Sequence, residues 1–135
     1  MFNGDAPWTA RAAVVIFVLI WFWELNTFLS IAWITVSKIH LTDRQRVGAV
    51  GMLIGLSGWQ ILNATVIVGL VYRRNWARII ELALTVFGLV LVAALVAMKQ
   101  PFAPGVIYFS NAAATLLLFS RSARAWFIKP IVKLS

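Results

Sequence analysis

Cysteine is absent from this 135-residue chain, which removes disulfides, thiol nucleophiles and thiolate metal sites together. Acidic residues number four against twelve lysines and arginines, and there is a single histidine, His40. So few ligating groups argue against a metal cage, and no metal or other cofactor is expected. Charged residues of both signs make up only 12% of the chain, too few to solvate a water-soluble domain of this size. Also missing are a phosphate-binding glycine loop, a nucleophile beside a base, and two carboxylates at one depth. The chain is therefore not expected to be an enzyme.

What is present is apolar. Hydrophobic residues make up 62% and the mean hydropathy is +0.92. About twenty apolar residues in a helix cross a bilayer, and four runs approach that length, at 12–36, 47–72, 76–98 and 105–120. The last is the shortest and leads into a basic amphipathic tail, 121–135, which is expected to lie along the membrane surface until Pro130 stops it. The turns fit these limits. Thr42 with Gln45 reads as a capping box, and Asp43 suits the positive end of a second helix. Asn75 reads as the N-cap of a third. Pro101, Pro104 and Gly105 interrupt the chain before a fourth. Connections this short predict an all-α, antiparallel, up-down-up-down four-helix membrane bundle in one domain.

The net charge of +8 does not suggest nucleic acid, because the basic residues cluster at the ends of apolar runs. Four crossings put both termini on one side. Arg11, Arg73, Arg74, Arg78, Arg121, Arg124, Lys129 and Lys133 fall on that side; Lys38, Arg44, Arg46 and Lys99 fall on the other. The excess of positive charge makes the termini side cytoplasmic, in a bacterial inner membrane. The first run reads as a retained span rather than a cleaved signal, since Glu24 interrupts it and no small-residue cleavage site follows. Trp8, Trp33, Trp76 and Trp126 fall near the expected interfaces; Trp21, Trp23 and Trp59 fall closer to mid-membrane.

Glu24, within "VLIWFWELNTFL", is the sharpest feature. It lies at the midpoint of its run, where a charge is most costly, and no Lys or Arg shares its depth. A protonated, uncharged carboxyl is the cheap solution. Its candidate partners are Thr27, Gln60, Asn63, Ser110, Asn111 and Thr115, with Trp21 or Trp59 as an aromatic wall. Three readings stand: a hydrogen-bonded tie between helices, a proton- or cation-binding carboxylate, or a helix set at another depth with Glu24 near water. Glu81 falls at a different depth and is not expected to share a substrate with it.

Gly48, Gly51, Gly55 and Gly58 form one stripe on the second helix, loosely continued by Gly69. Such a stripe lets two backbones approach, and packing within the chain is expected ahead of a homodimer seam. In "YRRNWARIIE", Arg73, Arg74 and Arg78 are expected to anchor on anionic lipid phosphates with Trp76 at headgroup level, and Arg78 to pair with Glu81, joined by Arg124. Arg121 and Arg124 in the tail join the same headgroup- or partner-docking surface. His40 is expected in an outer loop, in water.

The motif "RNWAR" and the ending "LLLFSRSARAWF" resemble many small bacterial four-span inner-membrane proteins of uncharacterised function. That resemblance implies the topology above and brings no activity to Arg74, Asn75, Trp76, Arg78 or Trp126. In layout the chain is also similar to the small multidrug resistance transporters, which carry a membrane-embedded Glu in the first of four spans. Only Glu24 matches there, and the glycine stripe here lies on the second helix instead of the third. The expected function is helix–helix contact, as an accessory subunit or an immunity-type protein with a membrane-protein partner or a second copy. The alternatives are an oligomeric proton-coupled transporter using Glu24, and a lipid-binding or lipid-flipping protein.

Overall fold

The computed structural model describes residues 6–37, 42–98 and 105–128. The expectations for Lys38, His40, Lys99, Pro101, Pro104, Lys129, Pro130 and Lys133 fall outside them.

The described chain is all-α, with five helices: α1 (Trp8–Ser37), α2 (Asp43–Val71), α3 (Asn75–Ala97), α4 (Gly105–Leu118) and α5 (Arg121–Ile128). Three of them, α1, α2 and α3, are long and apolar enough to cross a membrane. Fourteen residues make α4 about 21 Å long, against about 30 Å for a hydrocarbon core. Local chemistry sets several ends. The N–H of Thr42 donates to the Gln45 side-chain carbonyl at 3.0 Å, as the capping box requires. The third helix starts one residue earlier than the Asn75 cap predicts. Arg74 is the extended N-cap residue and Asn75 is already helical.

The turn between α2 and α3 is a Schellman closure. Arg74 N–H donates to the Gly69 carbonyl at 2.8 Å and Arg73 N–H to the Leu70 carbonyl at 3.1 Å. Arg73 therefore takes φ 59°, a position where glycine is usual. Its guanidinium is held in return: Nε donates to the Trp126 carbonyl at 3.1 Å, Nη2 donates to the same oxygen, and the group lies 4.9 Å over the Trp126 ring.

Around the bundle, α1 packs against α2 and α4, and α3 packs against the same two. Glu24 of α1 meets Trp59 of α2, and Thr85 of α3 meets Thr115 of α4. The core gathers at the termini end. Ala10, Ala13, Val14 and Phe17 of α1 meet Val66, Leu70, Ala77, Ala114 and Leu118 there, and the small residues permit close helix approach. No residue between 24 and 37, or between 42 and 59, is buried.

The tail differs from its expectation. A break at Phe119 and Ser120 folds α5 back onto α1 and α4, with Ala123, Trp126 and Phe127 buried. Trp126 is thus a core residue and not a headgroup anchor. The apolar face of a short amphipathic helix found protein to cover it at the foot of the bundle.

The glycine stripe also departs from expectation. A Cβ placed on Gly48, Gly51, Gly55 or Gly58 would meet nothing within 4 Å, so the stripe packs against no described helix. Only Gly69 is used internally: a Cβ there would lie 2.8 Å from the Ala77 Cβ and 2.9 Å from the Trp76 ring. Thus α2 and α3 touch closely at their turn, and the stripe beyond it faces outward.

Candidate functional site

A cavity of about 320 Å³ lies between α1, α2, α3 and α4, lined from all of them. The first helix contributes Trp21 and Glu24, at positions that share a face by the three-residue step. The second contributes Trp59 and Asn63, and the third Glu81, Thr85 and Gly88 in steps of four and three. From α4 come Tyr108 and Asn111. The volume is in the range of small-molecule pockets.

Glu24 is half-buried, and Trp59 Nε1 donates to its Oε2 at 3.2 Å. Beside it, Trp21 Nε1 donates to the backbone carbonyl of Gln60 at 3.2 Å, which pins α1 to α2 one turn below the carboxyl. Asn63 Nδ2 donates to the backbone carbonyl of Trp59 at 3.0 Å, one turn back on its own helix.

Glu81 is almost wholly enclosed, at 4% exposure, and the Asn111 side chain hydrogen-bonds its carboxyl. Asn111 Nδ2 is also 3.4 Å from Thr85 Oγ1, which shares a buried hydroxyl contact of 2.8 Å with Thr115. Here the expectation that the two acids face no common space needs correcting. Glu24 and Glu81 line one cavity. Its lining runs from Phe17 to Glu24 on α1 and from Glu81 to Leu91 on α3, so residues a few turns apart face a common space.

Several expected partners of Glu24 lie elsewhere. Thr27 is exposed and donates to its own helix, at the Trp23 carbonyl, 3.0 Å away. Gln60 is buried at 8% exposure but does not line the cavity, and its Oε1 has no partner. Asn111 serves Glu81, and Thr115 serves Thr85. The residues that sequence reasoning missed are Glu81 as a cavity group, Thr85 and Tyr108. Their signal was present as polar stripes at helical spacing, 81–85–88 on α3 and 108–111–115 on α4.

The arginines divide differently than expected. Arg74, Arg121 and Arg124 are exposed, as headgroup contact would need, and Trp76 is 44% exposed. Arg78 is 4% exposed and stacks on Phe119 at 4.7 Å and on Phe127 at 4.9 Å. It makes no ion pair with Glu81, whose carboxyl turns into the cavity toward Asn111. Arg73 is half-buried against Trp126. Both side chains fasten α5 to the turn between α2 and α3. Among the described residues no group of His, Asp and Glu could hold a metal ion.

Chemically, the cavity offers two carboxyls, three aromatic side chains with polar tips and two amides, with no basic residue in its lining. Aromatic faces and carboxylates both favour a positive charge. Comparison with known protein families, curated proteins and solved structures gives no match to this chain.

Proposed function

We propose that this chain is a four-crossing protein of a bacterial inner membrane, with both termini cytoplasmic, that takes a small organic cation into the interhelical cavity in exchange for protons. The observation that carries this reading is the meeting of Glu24 and Glu81 in one cavity walled by Trp21, Trp59 and Tyr108. Two negative charges in one apolar enclosure repel, so the empty cavity keeps at least one proton, and an arriving cation displaces it. Glu24, the more open of the two, is the contact group for the cation. Glu81, enclosed and backed by Asn111, is the second proton holder. The short α4 crosses where the bilayer thins to meet it. Such a cavity would serve transport as part of an oligomer.

The test uses the purified chain in detergent with benzyltrimethylammonium as the probe. Calorimetric titration should show binding with proton release, weakened about tenfold or more by Glu24→Gln. Binding that ignores both Glu24→Gln and Glu81→Gln, or no binding at all, would defeat the proposal.

A second reading, contact with a partner helix in the membrane, draws on the outward glycine stripe. An accessory-subunit or immunity-type role, or a homo-oligomer, would place another helix backbone against Gly51 and Gly55. Because the chain has no cysteine, a single Gly55→Cys substitution gives an unambiguous crosslinking probe. No crosslinked product in native membranes would remove this reading.

A further inference from the structure

At the termini end of the bundle one buried guanidinium, that of Arg78, is incompletely satisfied. Arg78 is 4% exposed, its Nε has no hydrogen-bond partner, and its Nη1 reaches back to Asn75 Oδ1 at 3.3 Å. The guanidinium therefore sits at the N-terminus of α3, wedged between Phe119 and Phe127. Arg124 of α5 lies close enough for its charge to act on Arg78. Arg74, the N-cap residue, is exposed, and no side-chain hydrogen bond caps the helix.

Four positive contributions thus meet: the helix dipole, a buried guanidinium and two exposed ones. The nearest acid on the same helix, Glu81, is committed to the cavity and Asn111. Aromatic faces recover only part of the hydration that a buried guanidinium gives up. In the first turn of α3, Ala77 N–H already donates to the Arg74 carbonyl at 3.1 Å, which leaves the N–H groups of Asn75 and Trp76 as further donors.

We infer that the N-terminus of α3, with the neighbouring face of α5, binds a phosphate group. Arg78, Arg74 and Arg124 supply its guanidinium groups, and the N–H groups of Asn75 and Trp76 complete the set of donors. Guanidinium forks match phosphate oxygens in pairs, and a helix N-terminus favours the same ligand. An anionic lipid headgroup or free inorganic phosphate would satisfy this chemistry. The site is independent of the cavity and its cation.

The experiment is native mass spectrometry of the detergent-solubilised full chain with phosphatidylglycerol or phosphatidylcholine added. The intact chain should retain phosphatidylglycerol about fivefold or more over phosphatidylcholine. Arg74→Gln with Arg124→Gln should bring that ratio to about one, with helical content unchanged because both residues are exposed. Arg121→Gln, on the same helix but outside the cluster, should leave the preference in place. Displacement of phosphatidylglycerol by millimolar inorganic phosphate would support the site and identify free phosphate as a competent source. Equal retention of the two lipids by the intact chain would overturn the inference. So would a loss with Arg121→Gln as large as with Arg124→Gln, since that marks diffuse surface charge.

Discussion

The indole N–H of Trp59 donates to the Glu24 carboxyl at 3.2 Å, across the packed faces of α1 and α2. This single contact fixes where the acid of the first helix points. It aims into the cavity that Glu81 also lines, and not outward to lipid. Replacing Trp59 with Phe keeps the ring and removes the donor. We predict a loss of about 1–2 kcal/mol in stability, near the upper range for membrane hydrogen bonds, read as a lower unfolding midpoint in mixed detergents. An unchanged midpoint would mean that this bond does not hold Glu24.

The Thr85–Thr115 contact lends itself to a double-mutant cycle. Each hydroxyl is buried, and the pair lies 2.8 Å apart. Thr85→Val alone strands the Thr115 hydroxyl and should cost about 1 kcal/mol or more. Adding Thr115→Val removes the stranded group, so the double variant should be no less stable than the single one. Additive losses would show that the two hydroxyls do not depend on each other.

Glycine substitutions should separate inward from outward positions. Gly69→Ala drives a methyl into Ala77 and the Trp76 ring, so it should destabilise by about 1–3 kcal/mol. Gly55→Ala meets open space and should leave the isolated chain equally stable or about 0.5–1 kcal/mol more so, by restricting the unfolded backbone. Equal effects at the two sites, measured by thermal unfolding, would contradict the outward placement of the stripe.

Arg73 combines an unfavourable backbone with a favourable side chain. Arg73→Gly relieves a left-handed φ worth about 1 kcal/mol but releases α5 from Trp126. Overall stability should change little, while amide exchange across residues 121–128 accelerates severalfold. Unchanged exchange there would show that α5 is held without Arg73.

Much of the architecture was legible because hydropathy and turn chemistry act locally. The runs around residues 12–36, 47–72 and 76–98 announce long helices, and Thr42 with Gln45 announces where α2 begins. Glu24 stood out because nothing of opposite charge shares its depth. What was not legible depends on how helices rotate about their axes. The stripe at Gly48, Gly51, Gly55 and Gly58 signals close packing in any sequence, yet only the assembled bundle shows that no helix of this chain meets it. Arg78 and Glu81, one turn apart, read as an ion pair; packing against Phe119 and Phe127 pulls one away while Asn111 draws the other into the cavity. The burial of Trp126 likewise needed the fold of α5 onto the bundle.

The most direct test of the central claim measures protons and cation together. The purified chain, in weakly buffered detergent solution, is titrated with benzyltrimethylammonium while pH is followed. The account predicts about one proton released per cation bound near neutral pH, and loss of both binding and release in the Glu24→Gln, Glu81→Gln double variant. Binding without proton release in the intact chain, or release that persists in the double variant, would contradict it.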